Sequence, residues 1–482
     1  MPEGSSAFIE EARKMIGAAN ILIDAAAIEP FLIETRKLHR GRADAVLRPG
    51  NVAEVAGLMQ LAQRHGVPVV ALGGNTGLTG GGVPFGGVVI SLTRLRTIRV
   101  IDPANATMTV EAGVVLQEVQ QAAREAGFLF PLSLGSEGSC TVGGNIATNA
   151  GGTGVLRYGN MRDLVLGIEA VLPDGRIFGG LSGLRKDNAG YDLKHLFIGS
   201  EGTLGIVTAA VLKLFPLPKT RTTAFIGTSS PEMIVKLFGS LREIAGERLT
   251  AFEIMPRFGL EIVLKHGQNT RDPLTGTHAS YALVEMTSPE ADAPLDELLL
   301  SVLEPAMEND IVEDAALATS EAQARDFWRL RELLSECQHF EGGSIKHDVS
   351  VPISRVTDFL AETGDACRAF MPGCRVCDFG HIGDGNIHYN ISQPVGMDRQ
   401  AFLSQWHAFN EIVHAAVKAR GGSIAAEHGV GLIKRDELPD YKDPVALDLM
   451  ATVKRALDPN NLLNPGKVVR IGSNLPTFKP GH

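Results

Sequence analysis

The stretch that most constrains this chain is DFGHIGDGNIHYN, Asp378 to Asn390, which sets His381 and His388 on either side of a Gly-Asp-Gly-Asn reversal. Gly383 and Gly385 supply the backbone angles of a tight turn, and Asp384 and Asn386 are residues that tolerate such turns, so two antiparallel strands should flank them. A turn centred between Asp384 and Gly385 puts the two histidines directly opposite one another, with Cβ atoms roughly 4.5–5.5 Å apart. Two imidazoles at that spacing can share a metal ion. Asn390 follows two residues after His388 and so points to the same face. Cys374 and Cys377 form a CxxC just upstream and suggest structural zinc. An extended run from Cys377 to His381 covers about 13 Å, however, too far for one coordination shell.

At 482 residues the chain exceeds what a single core supports, and two or more domains are expected. Its cysteines, Cys140, Cys337, Cys367, Cys374 and Cys377, are odd in number and irregularly spaced, which suits thiols in a reducing compartment. A formal net charge of −10 without a basic block argues against a nucleic-acid partner. The start MPEGSSAFIEEARK carries Glu10 and Glu11 where an export signal would be basic, and no run of about 18 apolar residues occurs, so a cytoplasmic location is expected.

Residues 1–44 show helical spacing and read as an N-terminal segment wrapped on the domain that follows. From Ala45 the pattern becomes strand, helix, strand: VLRPG, the amphipathic VAEVAGLMQLAQRHG, and VPVVAL. This β-α-β unit runs into GGNTGLTGGG, Gly73 to Gly82, and then into GVVISL. Glycines between strands let backbone N–H groups crowd around a phosphate, although the same composition also serves a surface connector. Neither GxGxxG nor GxxxxGK occurs, which disfavours a nicotinamide or ATP fold. A second glycine-dense stretch, LSLGSEGSCTVGGNIATNAGGTG, adds Ser136, Ser139, Thr141, Asn145 and Asn149 and suits a long polar cofactor. Strands around an Asp174-Gly175 turn follow.

Pro216 and Pro218 mark a boundary, with a domain at 45–219 before it and one at 220–424 after it. In the later part Arg331 and Ser335, four apart on SEAQARDFWRLRELLSECQ, should share a helix face and suit a carboxylate, although most helical arginines are simply exposed. Glu427 and His428, side by side in IAAEHGVGLIKR, offer a carboxylate and an imidazole, or an exposed charged turn.

The motifs GGNTGLTGG, TVGGNIATNAGG, LRKDNAGYDLKHLFIGSEGTLGIVT and GHIGDGNIHYN stand here in the order found in FAD-dependent 2-hydroxyacid dehydrogenases, which the chain resembles over most of its length. These belong to the FAD-binding oxidoreductase/transferase type 4 family, with a fold similar to vanillyl-alcohol oxidase, and the wording is most similar to the D-2-hydroxyglutarate dehydrogenase branch. The resemblance implies an α+β protein: a two-subdomain FAD-binding domain, an α+β cap with an antiparallel sheet, and a C-terminal segment, 425–482, returning to the FAD domain. It implies FAD held by Gly73, Gly74, Asn75, Thr76, Gly77, Leu78, Ser136, Gly138, Thr141, Gly143, Gly144, Asn145, Asn149, Gly202, Gly205, Ile206 and Asn464. It further implies a divalent metal, zinc in the family, on His381, His388 and Glu427, with His428 as catalytic base. Arg331, Ser335, where relatives carry threonine, Lys346 and Asn390 are then substrate residues.

The expected substrate is D-2-hydroxyglutarate, with D-lactate, D-malate or glycolate as alternatives. Electrons would leave to an electron-transfer flavoprotein or a quinone-linked carrier, and a homodimer follows from the prevalence of two-fold assemblies. A flavin-dependent alkyl transferase of the same fold and a non-flavin zinc hydrolase are the readings from other classes.

Overall fold

The computed structural model describes residues 3–471. The chain forms two compact units. The first takes the described residues up to Gly151, then Gly159–Pro216 and the described residues from His428 onward; the second takes Gly152–Tyr158 and Leu217–Glu427. The sequence pattern put boundaries after residues 219 and 424 and did not single out the short segment Gly152–Tyr158.

In the first unit, strands β1 (Ile21–Leu22), β2 (Ala45–Leu47), β3 (Val69–Leu72) and β4 (Val88–Ser91) form a sheet in the order β1-β2-β4-β3. β2 and β3 both run parallel to β4, with Ala45 and Val69 each opposite Val88. Helix α2 (Val52–His65) carries the chain from β2 to β3, the two strands that flank β4, and is preceded along the chain by α1 (Glu3–Ile16). Asn51 caps α2 by accepting from Glu54 N, and Gly66 ends it with a left-handed φ of 62°. Val55, Leu58, Met59 and Leu61 of α2 share a core with Phe8, Ile9, Ala12 and Ile16 of α1, which is how the N-terminal segment is held. A second, antiparallel sheet joins β5 (Ile98–Asp102), β6 (Thr107–Glu111), β7 (Val165–Val171), β8 (Ile177–Gly180) and β9 (Ile206–Lys213) in the order β5-β6-β9-β7-β8. The β7–β8 turn uses Gly175 at φ 85°, while Asp174 accepts from Arg176 N, as the Asp-Gly pair predicted.

The second unit is a seven-stranded sheet: β10 (Thr220–Thr228), β11 (Leu249–Pro256), β12 (Ser280–Ser288), β13 (Asp314–Leu317), β14 (Ser344–Ser350), β15 (Arg375–His381) and β16 (Asn386–Ser392), ordered β13-β10-β12-β11-β15-β16-β14. Every pairing is antiparallel. Phe225, Met255, Tyr281, Leu283 and Cys377 of these strands bury against Phe327, Leu330 and Leu334.

The hairpin β15–β16 forms where predicted, but its register differs. His381 pairs with Asn386, and His388 pairs with Phe379. The loop is Ile382–Gly385, centred one position earlier than the sequence suggested, because Asp384 Oδ1 accepts from Asn386 N and Gly385 N reaches the Ile382 carbonyl. The histidine partners thus move by two residues, which preserves the side of the sheet, and the two rings still meet with centroids 5.4 Å apart.

Gly385 sits at φ 82°, and a Cβ there would lie 2.2 Å from the Val351 carbonyl oxygen. Gly383 has only the end of the Leu156 side chain near such a Cβ, at 2.9 Å. Gly385→Ala should therefore destabilise the second unit by more than about 2 kcal/mol, whereas Gly383→Ala should cost less than half of that. Calorimetric melting of the two variants checks the ranking, and equal melting points would refute it.

Candidate active site

The glycine loop after β3 lies against the second glycine-rich stretch. A Cβ on Gly74 would come within 2.1 Å of the Ser139 carbonyl oxygen, and one on Gly73 within 2.3 Å of Thr141 Oγ1. Only glycine permits that approach. Asn75 takes a left-handed φ of 54° and donates from Nδ2 to the carbonyls of Pro30 (3.1 Å) and Ile33 (2.9 Å), pinning the loop. Thr76 and Leu78 are half-buried beside it, and Gly77 is exposed. Thr141 precedes helix α3 (Val142–Thr148), yet its hydroxyl caps nothing. Thr141 Oγ1, Asn145 Nδ2 and Asn464 Oδ1 are all buried without a hydrogen-bond partner. Each such atom costs about 1–3 kcal/mol, which a polar cofactor would return.

Other residues of this set have structural duties. Asn149 ends α3 at φ 53° and accepts from Arg162 N at 2.8 Å. The Ser136 carbonyl accepts from Ser139 N and Cys140 N, and Gly138 is exposed on that turn. Gly143 packs against Ala112 and Gly205 against the Phe197 ring, each where a Cβ would meet carbon at 2.7 Å. Gly144 faces Thr141, Gly202 takes φ 70°, and Ile206 belongs to the apolar core.

Asn464 joins the loop through Nδ2, which donates to the carbonyls of Gly81 (3.0 Å) and Glu201 (2.7 Å). His428 is moored to the same loop: Thr79 Oγ1 donates to its carbonyl at 3.2 Å. Two and three residues on, the N–H groups of Val430 and Gly431 donate to the Glu201 carboxylate at 2.7 and 2.8 Å.

The second unit presents a polar sheet face. Across β14–β16, Asp348 stands opposite His388 and Lys346 opposite Asn390, so strand alternation puts these four side chains on one side. Asp348, His388 and Glu427 each offer a ligand atom, all within 4.8 Å of one another; His381, expected from sequence in this set, is not part of it, and Asp348, not expected, is. His388 Nε2 is 3.5 Å from Glu427 Oε1, and His388 Nδ1 is 3.8 Å from Asp348 Oδ1. Asp348 also organises its surroundings, accepting from Asn386 Nδ2 and from Glu427 N, both at 3.0 Å. Burial pushes the Glu427 carboxyl up to about 7; His381 pulls it down, and Asp348 and Asp384 push it further up. Crowded carboxylates beside imidazole form a donor set that suits a divalent cation.

His381 is held from the far side. Its Nδ1 lies 2.7 Å from Glu253 Oε1 on β11, and Glu253 Oε2 accepts from Arg331 Nε at 2.8 Å. Burial disfavours the charged imidazole, but Glu253 outweighs it and pushes His381 up to about 9. Arg331 is itself buried, with Cζ 4.8 Å from the Phe379 ring centroid.

Arg331 and Ser335 do not share a face. Helix α4 (Glu321–Glu332) stops before Leu333, and Ser335 falls in the separate turn α5 (Leu334–Cys337), exposed where Arg331 is buried. Ser335 meets Lys346 through its carbonyl instead, which accepts from Nζ at 3.3 Å. Asn390 donates from Nδ2 to Gln338 Oε1 at 2.9 Å, in the turn that follows α5. Cys374 and Cys377 are buried free thiols, and the metal-capable group found among the described residues contains no cysteine.

Glu253 and Asp348 were missed from sequence. Each left a signal: Glu253 is the single charge in the strand LTAFEIMP, and Asp348 lies two residues after Lys346 and hence on its face.

Comparison with known proteins adds a family context. The FAD binding domain family matches residues 43–179, and the family "FAD linked oxidases, C-terminal domain" matches residues 217–468. The chain is 39% identical to D-2-hydroxyglutarate dehydrogenase of Xanthomonas citri pv. viticola, over 88% of this chain and 89% of that one. It is 37% identical to the Bos taurus protein named D-2-hydroxyglutarate dehydrogenase, mitochondrial, over 93% and 81%. The crystal structure of p-cresol methylhydroxylase, 18% identical, superposes with a TM-score of 0.77 over 97% of this chain and 98% of that one, a likeness of fold of the vanillyl-alcohol oxidase type. Among the described residues no helix is long and apolar enough to cross a membrane.

The orphaned Thr141 hydroxyl gives a two-sided test. Thr141→Val should leave the apoprotein as stable or more stable, since an unsatisfied polar atom is removed, while weakening FAD binding about tenfold or more. Titrating apoprotein with FAD and melting it without FAD reads both effects; unchanged FAD affinity would remove Thr141 from the cradle.

Proposed function

The chain belongs to the FAD-linked oxidases as an FAD-dependent D-2-hydroxyacid dehydrogenase, and on that premise we propose that it oxidises D-2-hydroxyglutarate to 2-oxoglutarate with the help of a divalent metal. The observation that carries this reading is the single face of the second-unit sheet, where Asp348 and His388 stand paired across strands and Glu427 closes on both.

His381, His388 and Glu427 would hold the cation, with Asp348 steering His388 and the Glu427 main chain. Arg331 spends Nε on Glu253, which leaves its terminal Nη groups for a substrate carboxylate. Lys346, braced by the Ser335 carbonyl, supplies a second positive charge from the same face for the other carboxylate, and Asn390 lies opposite it in the sheet. Ser335 thus acts through its main chain.

The costly species in this oxidation is the alkoxide that develops as the hydroxyl proton leaves. A divalent cation in this donor set would stabilise that charge. His428, following Glu427 directly in the chain, takes the proton on its imidazole as general base. Bound FAD supplies the hydride acceptor for the substrate Cα hydrogen. The glycine cradle, with Thr141, Asn145 and Asn464, holds the cofactor in place. Electrons then pass to a separate carrier, an electron-transfer flavoprotein or a quinone-linked protein.

Anaerobic mixing with D-2-hydroxyglutarate should bleach the flavin, whereas the L enantiomer should not; a flavin that no D-2-hydroxyacid reduces would sink the proposal. His428→Asn should keep FAD and metal but lose about 10²–10⁴-fold in kcat. Near-normal turnover would take the base role from His428. Exhaustive chelation should abolish activity and zinc should restore it; full activity without metal would reduce the histidine pair to a structural feature.

A further inference from the structure

Glu253 is 1% exposed, on a strand whose neighbours Phe252, Ile254 and Met255 are also buried. A carboxylate in such surroundings is costly unless it is fully paired, by several kcal/mol per ion. Both oxygens are paired, and to different elements. Oε1 faces His381 Nδ1 on β15, and Oε2 faces Arg331 Nε on α4. Resting on the metal-assisted hydroxyacid reading, we infer that Glu253 is a positioning residue that sets the metal-binding imidazole of His381 and the substrate-binding guanidinium of Arg331 together, through one carboxylate.

The physical basis is the inventory of donors and acceptors. Engaging Nδ1 fixes both the tautomer and the ring plane of His381, so that Nε2 is the nitrogen offered to a cation. Engaging Nε fixes the plane of the Arg331 guanidinium, already confined by the Phe379 ring at 4.8 Å, and so fixes the direction of its terminal N–H groups. A carboxylate has two acceptor oxygens for these two N–H donors. An amide has one acceptor and one N–H₂ group, which would face a donor. Glutamine at this position can therefore not accept from both, and with the charge gone whatever bond it keeps to His381 or Arg331 is weaker than the carboxylate's, so neither group is held as before. Asp348 resembles Glu253 in standing behind a histidine, His388, but at 3.8 Å it makes a looser contact and its other oxygen serves the Glu427 main chain. Glu253 is the acid that joins the cation side to the carboxylate side.

The test uses the full-length FAD-loaded enzyme, with Zn²⁺ as the metal probe in chelator competition and D-2-hydroxyglutarate as substrate. Glu253→Gln should weaken Zn²⁺ binding about 10–100-fold. It should also raise KM about tenfold or more, the loss expected for a misaligned carboxylate clamp. At saturating zinc and substrate, kcat should return to within about threefold of wild type, and flavin content should be unchanged. Glu253→Asp keeps the charge but is one methylene short, and should show the same paired loss if the amide variant does not fold. Unchanged Zn²⁺ affinity in Glu253→Gln, or a change in only one of the two constants, overturns the inference. So does failure of both variants to fold, which would make Glu253 a fold residue. His388→Ala separates the premise from the inference. If wild type and His388→Ala bind Zn²⁺ equally, the metal reading falls; if His388→Ala loses Zn²⁺ and Glu253→Gln does not, only the positioning role falls.

Discussion

Strand alternation across β14, β16 and β15 is the constraint on which the second unit's chemistry depends. Successive side chains leave a strand on opposite faces, so one register decides whether Lys346, Asp348, His388, Asn390 and His381 work together or are divided between two sides. A slip of one residue between β15 and β16 would turn His388 away from His381. The tight loop guards against that slip, with Gly385 in a conformation closed to other residues and its carbonyl tied to Val351 N at 3.0 Å. The network around Asp348 adds a second restraint, because the carboxylate meets Asn386 and Glu427 only in this alignment.

On that face the balance of charge is uneven. Asp384 is pushed up to about 6 and Glu427 up to about 7, chiefly by burial, while Glu253 is held below its ordinary value because His381 and Arg331 outweigh its burial. The same sheet therefore contains a satisfied acid and a group of strained ones. The satisfied acid sits behind the functional groups and the strained ones sit among them. A divalent cation would relieve the strained set. The first unit shows the neutral counterpart: buried hydroxyl and amide atoms without partners, around glycines that admit a close-fitting polar molecule.

Local chemistry in the sequence made much of this legible. The strand-helix-strand opening followed from a 3.6-residue period between two apolar runs, and the observed caps are the Asn51 and Gly66 that such a helix calls for. The hairpin followed from its glycines. Its exact register did not, because the Asp384–Asn386 bond competes with the symmetric turn and composition cannot rank the two. The two-residue period rescued the conclusion, since moving the partner by two leaves the face unchanged. Arg331 and Ser335 went astray because four-residue spacing implies a shared face only in an unbroken helix, and this one breaks at Leu333. Glu253 is far in sequence from both side chains it holds, so only the fold reveals its role.

The central claim is that the histidine hairpin carries a metal within the dehydrogenase. Diffraction from crystals of the FAD-loaded, zinc-grown protein, recorded on both sides of the zinc absorption edge, tests it most directly. An anomalous peak about 2 Å from His388 and Glu427, with His381 Nε2 in the same shell and Glu253 on its Nδ1, is the predicted result. A peak at the cysteines, or no peak while flavin reduction by D-2-hydroxyglutarate proceeds at full rate, would contradict it.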